Sequence, residues 1–167
     1  MSRELLSKYR TKIIEDFIMV EGYVTAIICK HYFGHLNKNF MREVLFDDLC
    51  SSGLKANLFE KALMRNKDIK KPRQYADQFR QLSRFRNYFA HCNTTFSDDG
   101  LADTECGIPN SRKQDEYLNI KEIIDKFFTI HEKLSHDLVE IMDTMGILFM
   151  QNTDNGQLTL VCEDQKD

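Results

Sequence analysis

Apolar residues between positions 3 and 33 recur at steps of three and four. Ile13, Phe17, Val20, Val24, Ile27 and Ile28 make one stripe, which predicts a single long amphipathic helix. Gly34 supplies its stop and residues 35–39 a turn. Residues 40–50 read as a short apolar helix (Met41, Val44, Leu45, Leu49) ended by Ser51-Ser52-Gly53. Residues 54–65 read as another, with Leu54, Leu58, Phe59, Ala62 and Leu63 facing inward. After a charged loop at 66–71, Pro72 suits the first turn of a helix, where its missing N–H costs nothing. That helix should run to about Cys92 and end at Asn93-Thr94-Thr95.

Residues 94–118 show no helical period, and a connection this long is uncommon in a compact domain. Asn119, with Glu122 three residues on, has the capping-box pattern. A last long helix follows through Ile120, Ile123, Ile124, Phe127, Phe128, Leu134, Leu138, Ile141 and Met145 to about Met150. Residues 156–162 are either a strand or a tail that packs on a partner. The pattern predicts an all-α, single-domain helical bundle. The domain spans residues 1–155 with an insert at 94–118, and residues 156–167 form a C-terminal tail.

Composition narrows the class. With 167 residues, one sizeable core is feasible, and 42% hydrophobic against 29% charged residues is globular usage. Seven Gly and two Pro leave few helix breakers. The five cysteines, at 29, 50, 92, 106 and 162, are odd in number and lack CxxC spacing, which favours reduced thiols. The opening MSRELLSKYRTK lacks the apolar stretch of a signal peptide, and no uncharged run is long enough for a membrane span. The expectation is a soluble cytoplasmic protein with no membrane partner. The net charge of −3 hides an asymmetry: residues 61–92 carry a balance of +7 and residues 93–167 a balance of −10. The basic block either attracts phosphate or neutralises the acidic third across a helix interface.

Candidate chemistry concentrates in residues 72–93, PRQYADQFRQLSRFRNYFAHCN. At about 100° per residue, Tyr75, Phe79, Leu82, Phe85, Phe89 and Ala90 share an apolar arc, while Arg80, Arg84, Asn87 and His91 fall opposite. Arg86 points between Phe79 and Leu82, inside the apolar arc, where a charge that cannot be lost needs a partner or a wet edge. The first helix has a matching anomaly in Glu21. A Glu21–Arg86 ion pair would satisfy both and fix the guanidinium; otherwise each reaches water at the edge of the bundle.

Arg86-Asn87-Tyr88-Phe89-Ala90-His91 resembles the Arg-polar-x3-His motif of HEPN domains. An internal Glu in a long first helix, an irregular stretch after the His and a long final helix fit the same family, over residues 5–150. The resemblance implies a homodimer whose two motifs meet, and in many members a metal-independent endoribonuclease. Other members bind nucleotides, nucleic acid or a partner or inhibitor protein without catalysis.

The residue types suit that chemistry. Attack by an RNA 2′-OH needs a proton acceptor, a proton donor and a cation for the phosphorane. His91 can exchange protons near neutral pH, and Arg86 offers a fixed bidentate fork to phosphate oxygens. Asn87 can hold the imidazole or a phosphate, and Glu21 completes the candidate catalytic set. Lys70, Lys71, Arg73, Arg80 and Arg84 are the candidate RNA-binding residues. No metal or cofactor is called for. Arg86 and His91 differ by about 140° around a straight helix, so either the helix unwinds at His91 or a second chain completes the site.

The remaining candidates have plainer readings. His31 and His35 are a surface pair at a helix end. His131 and His136 face solvent on the last helix. Cys92 packs, and Met142, Met145 and Met150 fill core or interface.

Overall fold

The computed structural model describes residues 3–47, 50–91, 107–109, 117–151 and 158–162. Helix α1 spans Arg3–Phe33, as the periodicity predicts. It is the central element, touching every long helix of the bundle. Its predicted stripe is fully buried, but so are Thr25, Ala26 and Cys29. Residues 24–29 are therefore enclosed on all sides, which a one-face pattern does not anticipate. Gly34, at φ +76°, ends α1 in the left-handed region.

The predicted 40–50 helix is replaced by a helical turn α2 (Lys38–Phe40) running into a π-helical turn, Met41–Leu45. The Asn37 side chain accepts from the Phe40 N–H at 3.0 Å and starts this segment. Leu45 is buried while Val44 is exposed. Leu49 lies outside the described residues. Helix α3 (Ser52–Arg65) is capped by Ser51, whose Oγ accepts from the Leu54 N–H. Leu54 itself is exposed, contrary to expectation; the buried stripe is Lys55, Phe59, Ala62 and Leu63.

Helix α4 (Pro72–His91) follows the sequence pattern. Phe17 of α1 stacks on Phe79 of α4 at 5.6 Å, and Phe59 of α3 meets Phe79 edge-on. These rings lock three helices together. Within the expected irregular insert, β1 (Gly107–Pro109) pairs antiparallel with β2 (Tyr117–Asn119); the rest of that insert lies outside the described residues.

Helix α5 (Ile120–Thr144) buries most of its predicted apolar stripe, with Phe128 only half-buried and Met145 beyond its end, and it ends six residues early. Gly146, at φ +67°, turns the chain into β3 (Ile147–Gln151). That strand pairs antiparallel with β4 (Leu158–Cys162). The C-terminal segment is thus a hairpin strand, with Ile147 and Cys162 in the core. The outcome is a mostly helical bundle with two small hairpins. No helix among the described residues is long and apolar enough to cross a membrane.

Candidate functional site at the α1–α4 seam

Arg86 is half-buried, and its guanidinium carbon lies 4.9 Å above the centroid of the Phe17 ring. A planar cation on an aromatic face is attracted by the ring quadrupole and loses less hydration than an ammonium would. This accounts for an arginine inside the apolar arc, and it replaces the expected ion pair. Glu21 turns instead to Lys55 of α3, with Nζ to Oε1 at 2.8 Å. The Lys55 side chain is only 5% exposed and that of Glu21 15%, and Nζ also lies 5.5 Å from the Phe46 ring. Lys55 was missed because a lysine reads as solvent-facing. Its position is the available signal, since residues 55, 59, 62 and 63 form one helical stripe.

The basic candidates separate into two groups. Arg80 donates to Glu60 at 2.8 Å, Asp77 at 2.7 Å and Asn57 at 2.8 Å. The hydrogen bond to Glu60 is the main reason its charge is held more strongly than usual. Arg73 lies 3.7 Å from the same Glu60 carboxylate. Arg80 therefore works largely as a fastener between α3 and α4, whereas Arg73 is exposed and makes at most a loose ion pair. Lys70, Lys71, Arg84 and Asn87 are exposed. Among the described residues, Arg84 and Arg86 are paired with no carboxylate.

His91 is the last residue of α4, one turn beyond Asn87; its side chain lies outside the described residues. The carbonyl of Ala90, just before it, accepts a hydrogen bond at 2.9 Å from Arg10 Nη2 of α1. The last carbonyls of a helix have no intrahelical donor, so a guanidinium there satisfies an orphan acceptor and complements the negative helix end.

The other histidines are unlike one another. His131 is half-buried and not solvent-facing: its ring stacks on Phe127 at 5.8 Å, and Nε2 is buried without a hydrogen-bond partner. Burial lowers its pKa, with Lys12 adding to the effect and Asp16 and Glu132 opposing it. His136 is exposed beside Glu140. With Asp137 they offer three potential ligand atoms within 4.8 Å, but all three residues lie on α5, and solvated acidic groups of this kind are ordinary on a helix surface. Burial lowers the pKa of His31, and Arg65 adds to this.

The structure is a mostly helical bundle that carries Arg84 and Arg86 in the C-terminal half of α4, a helix whose last residue is His91. In comparisons with family models, with curated proteins and with solved structures, nothing matched this chain.

Proposed function

We propose that this protein is a metal-independent endoribonuclease of HEPN type that acts as a homodimer, with Arg86 and His91 at its centre. The observation that carries the reading is Arg86: a fixed cation seated on Phe17, unpaired with any carboxylate among the described residues, five positions before a histidine at a helix end. In this reading an imidazole removes the proton of an RNA 2′-OH as the 2′-oxygen–phosphorus bond forms. The bond from phosphorus to the 5′-oxygen breaks, and an acid returns a proton to that leaving oxygen. The Arg86 fork stabilises the charge on the phosphorane oxygens, and Asn87 orients the imidazole or a phosphate. Because Arg86 and His91 diverge by about 140° on a regular helix, the second protomer supplies the group that one chain cannot bring round.

The test is cleavage of single-stranded RNA in the presence of a chelator. The expected products carry 2′,3′-cyclic phosphate and 5′-hydroxyl ends, and His91→Ala abolishes them while the wild type sediments as a dimer. Chelator-sensitive cleavage, or full activity in His91→Ala, overturns the reading. Salt-sensitive binding without turnover favours a non-catalytic module of the same fold, a role for which the acidic balance of residues 93–167 suits a basic protein partner.

A further inference from the structure

We infer that Arg10 of α1 is a second phosphate-holding guanidinium of this site, so that RNA is gripped from two helices and not from α4 alone. The inference rests on reading the α4 end as an RNA site and adds to it a residue outside the sequence motif.

Three observations carry it. Arg10 is exposed, yet its direction is fixed, because Nη2 is spent on the Ala90 carbonyl at 2.9 Å. A guanidinium has five N–H donors in a rigid fork, so this single bond orients the group and leaves donors for a ligand. Second, Arg10 and Arg86 lie on one seam. Phe17, which carries Arg86, is two turns along α1 from Arg10, and Ala90, which holds Arg10, is one turn along α4 from Arg86. The four residues from Arg86 to Ala90 rise about 6 Å, so the two cations are held along the same C-terminal stretch of α4. Third, neither is paired with a carboxylate among the described residues, whereas Arg80 of the same helix is held by two. Arg80, a fastener between α3 and α4, has acidic partners; among the described residues these two are held by a ring face and a helix-end carbonyl, neither of which carries a full negative charge. The ligand chemistry that answers two oriented, un-neutralised forks is an anion with several oxygens, and on this reading it is the backbone phosphate of single-stranded RNA.

The test uses a 2′-O-methyl RNA oligonucleotide, which cannot be cleaved, with affinity followed by fluorescence anisotropy over a series of potassium chloride concentrations. Wild type, Arg10→Gln and Arg10→Lys are compared at a temperature where melts show all three folded. Gln keeps an N–H donor but no charge; Lys keeps the charge. The expected result is roughly tenfold weaker binding by Arg10→Gln, a salt slope shallower by about 0.7, and substantial recovery in Arg10→Lys. A purely structural role at the helix end predicts instead that Arg10→Gln binds like the wild type, and that result overturns the inference. Absence of oligonucleotide binding by the wild type overturns it too. If the wild type binds but does not cleave the ordinary 2′-hydroxyl RNA, the nuclease reading falls and Arg10 stands. If the wild type cleaves and Arg10→Gln binds unchanged, the nuclease reading stands and Arg10 falls.

Discussion

Removing the Lys55 ammonium should damage the fold more than removing any other charge in the described bundle. Lys55→Met keeps most of the aliphatic stem but leaves the Glu21 carboxylate in a pocket where its side chain is 15% exposed. Breaking a buried pair from one side costs about 3–5 kcal/mol, because the remaining charge is uncompensated. The contact between Nζ and the Phe46 ring, at 5.5 Å, adds about 0.5–1 kcal/mol. Against a total stability of roughly 5–15 kcal/mol, this is a large fraction, and in a domain of this size it lowers Tm by about 10 °C. The double variant Glu21→Leu/Lys55→Met removes both charges, so it should recover most of the loss. Urea denaturation of wild type, both single variants and the double gives the coupling energy directly. The reasoning is refuted if Lys55→Met lies within about 0.5 kcal/mol of the wild type, or if the double variant is no more stable than Lys55→Met. The same proteins test the catalytic assignment of Glu21: a stable double variant that still cleaves RNA makes Glu21 a fold residue only.

Stability should fall as pH drops below about 6.5 and the histidines titrate. The folded-state pKa of His131 is depressed by burial, so in that range the unfolded chain binds the extra proton. Stability is therefore fully present above the unfolded value near 6.5 and is lost as pH falls; His131→Phe, which keeps the stack on Phe127, should flatten the slope in urea titrations at each pH, leaving the component from His31. Lys71 sits at φ +61° just before Pro72, so Lys71→Gly should stabilise the protein by about 0.5–1 kcal/mol in a thermal melt, and a loss of stability would show that its side chain holds the turn. Cys29, Cys50 and Cys162 are free and buried, and burial raises the thiol pKa of the first two. Iodoacetamide followed by mass mapping should leave these three unmodified until denaturant is added; rapid native labelling of Cys29 would contradict its enclosed position.

The helices were legible wherever one face of a segment meets the core. α1 and α4 follow their apolar periods closely, with Gly34 and Pro72 marking a stop and a start by backbone chemistry alone. Failures came where burial is decided by a neighbouring element. The predicted helix to Met150 ignored Gly146, whose positive φ ends α5 and opens a hairpin. Residues 147–151, ILFMQ, suit either element by composition, and it is the pairing with β4 that makes them a strand. Lys55 and His131 share a polar head that suggests solvent; Glu21, which holds Lys55, lies on another helix where no local period reveals it, whereas Phe127, which stacks on His131, is one turn back on α5 and within reach of the helical period. Arg86 was visible as an anomaly, but a helical wheel records direction and not contacts, so an acidic partner was expected where Phe17 stands.

The charge asymmetry between residues 61–92 and 93–167 acquires a different meaning once these contacts are in place. If the basic block existed to neutralise the acidic third, its ion pairs would cross from α4 to α5. The carboxylates that meet Arg73 and Arg80 are instead Glu60, just before the block, and Asp77, within it. Among the described residues, no arginine of α4 is paired with an acidic residue beyond position 92. Glu60 and Asp77 thus absorb the positive charge on the α3-facing side of α4, and the charge left over is that of Arg84 and Arg86, in the helix's C-terminal half. Arg10, from a part of the chain whose overall charge is balanced, reaches the same end and donates to Ala90. Among the described residues, positive charge therefore meets carboxylates where α4 packs on α3 and none where α4 ends beside α1. A bundle that needed charge only for cohesion would have no use for that gradient, whereas an anion approaching the end of α4 would meet two cations already oriented before it arrives.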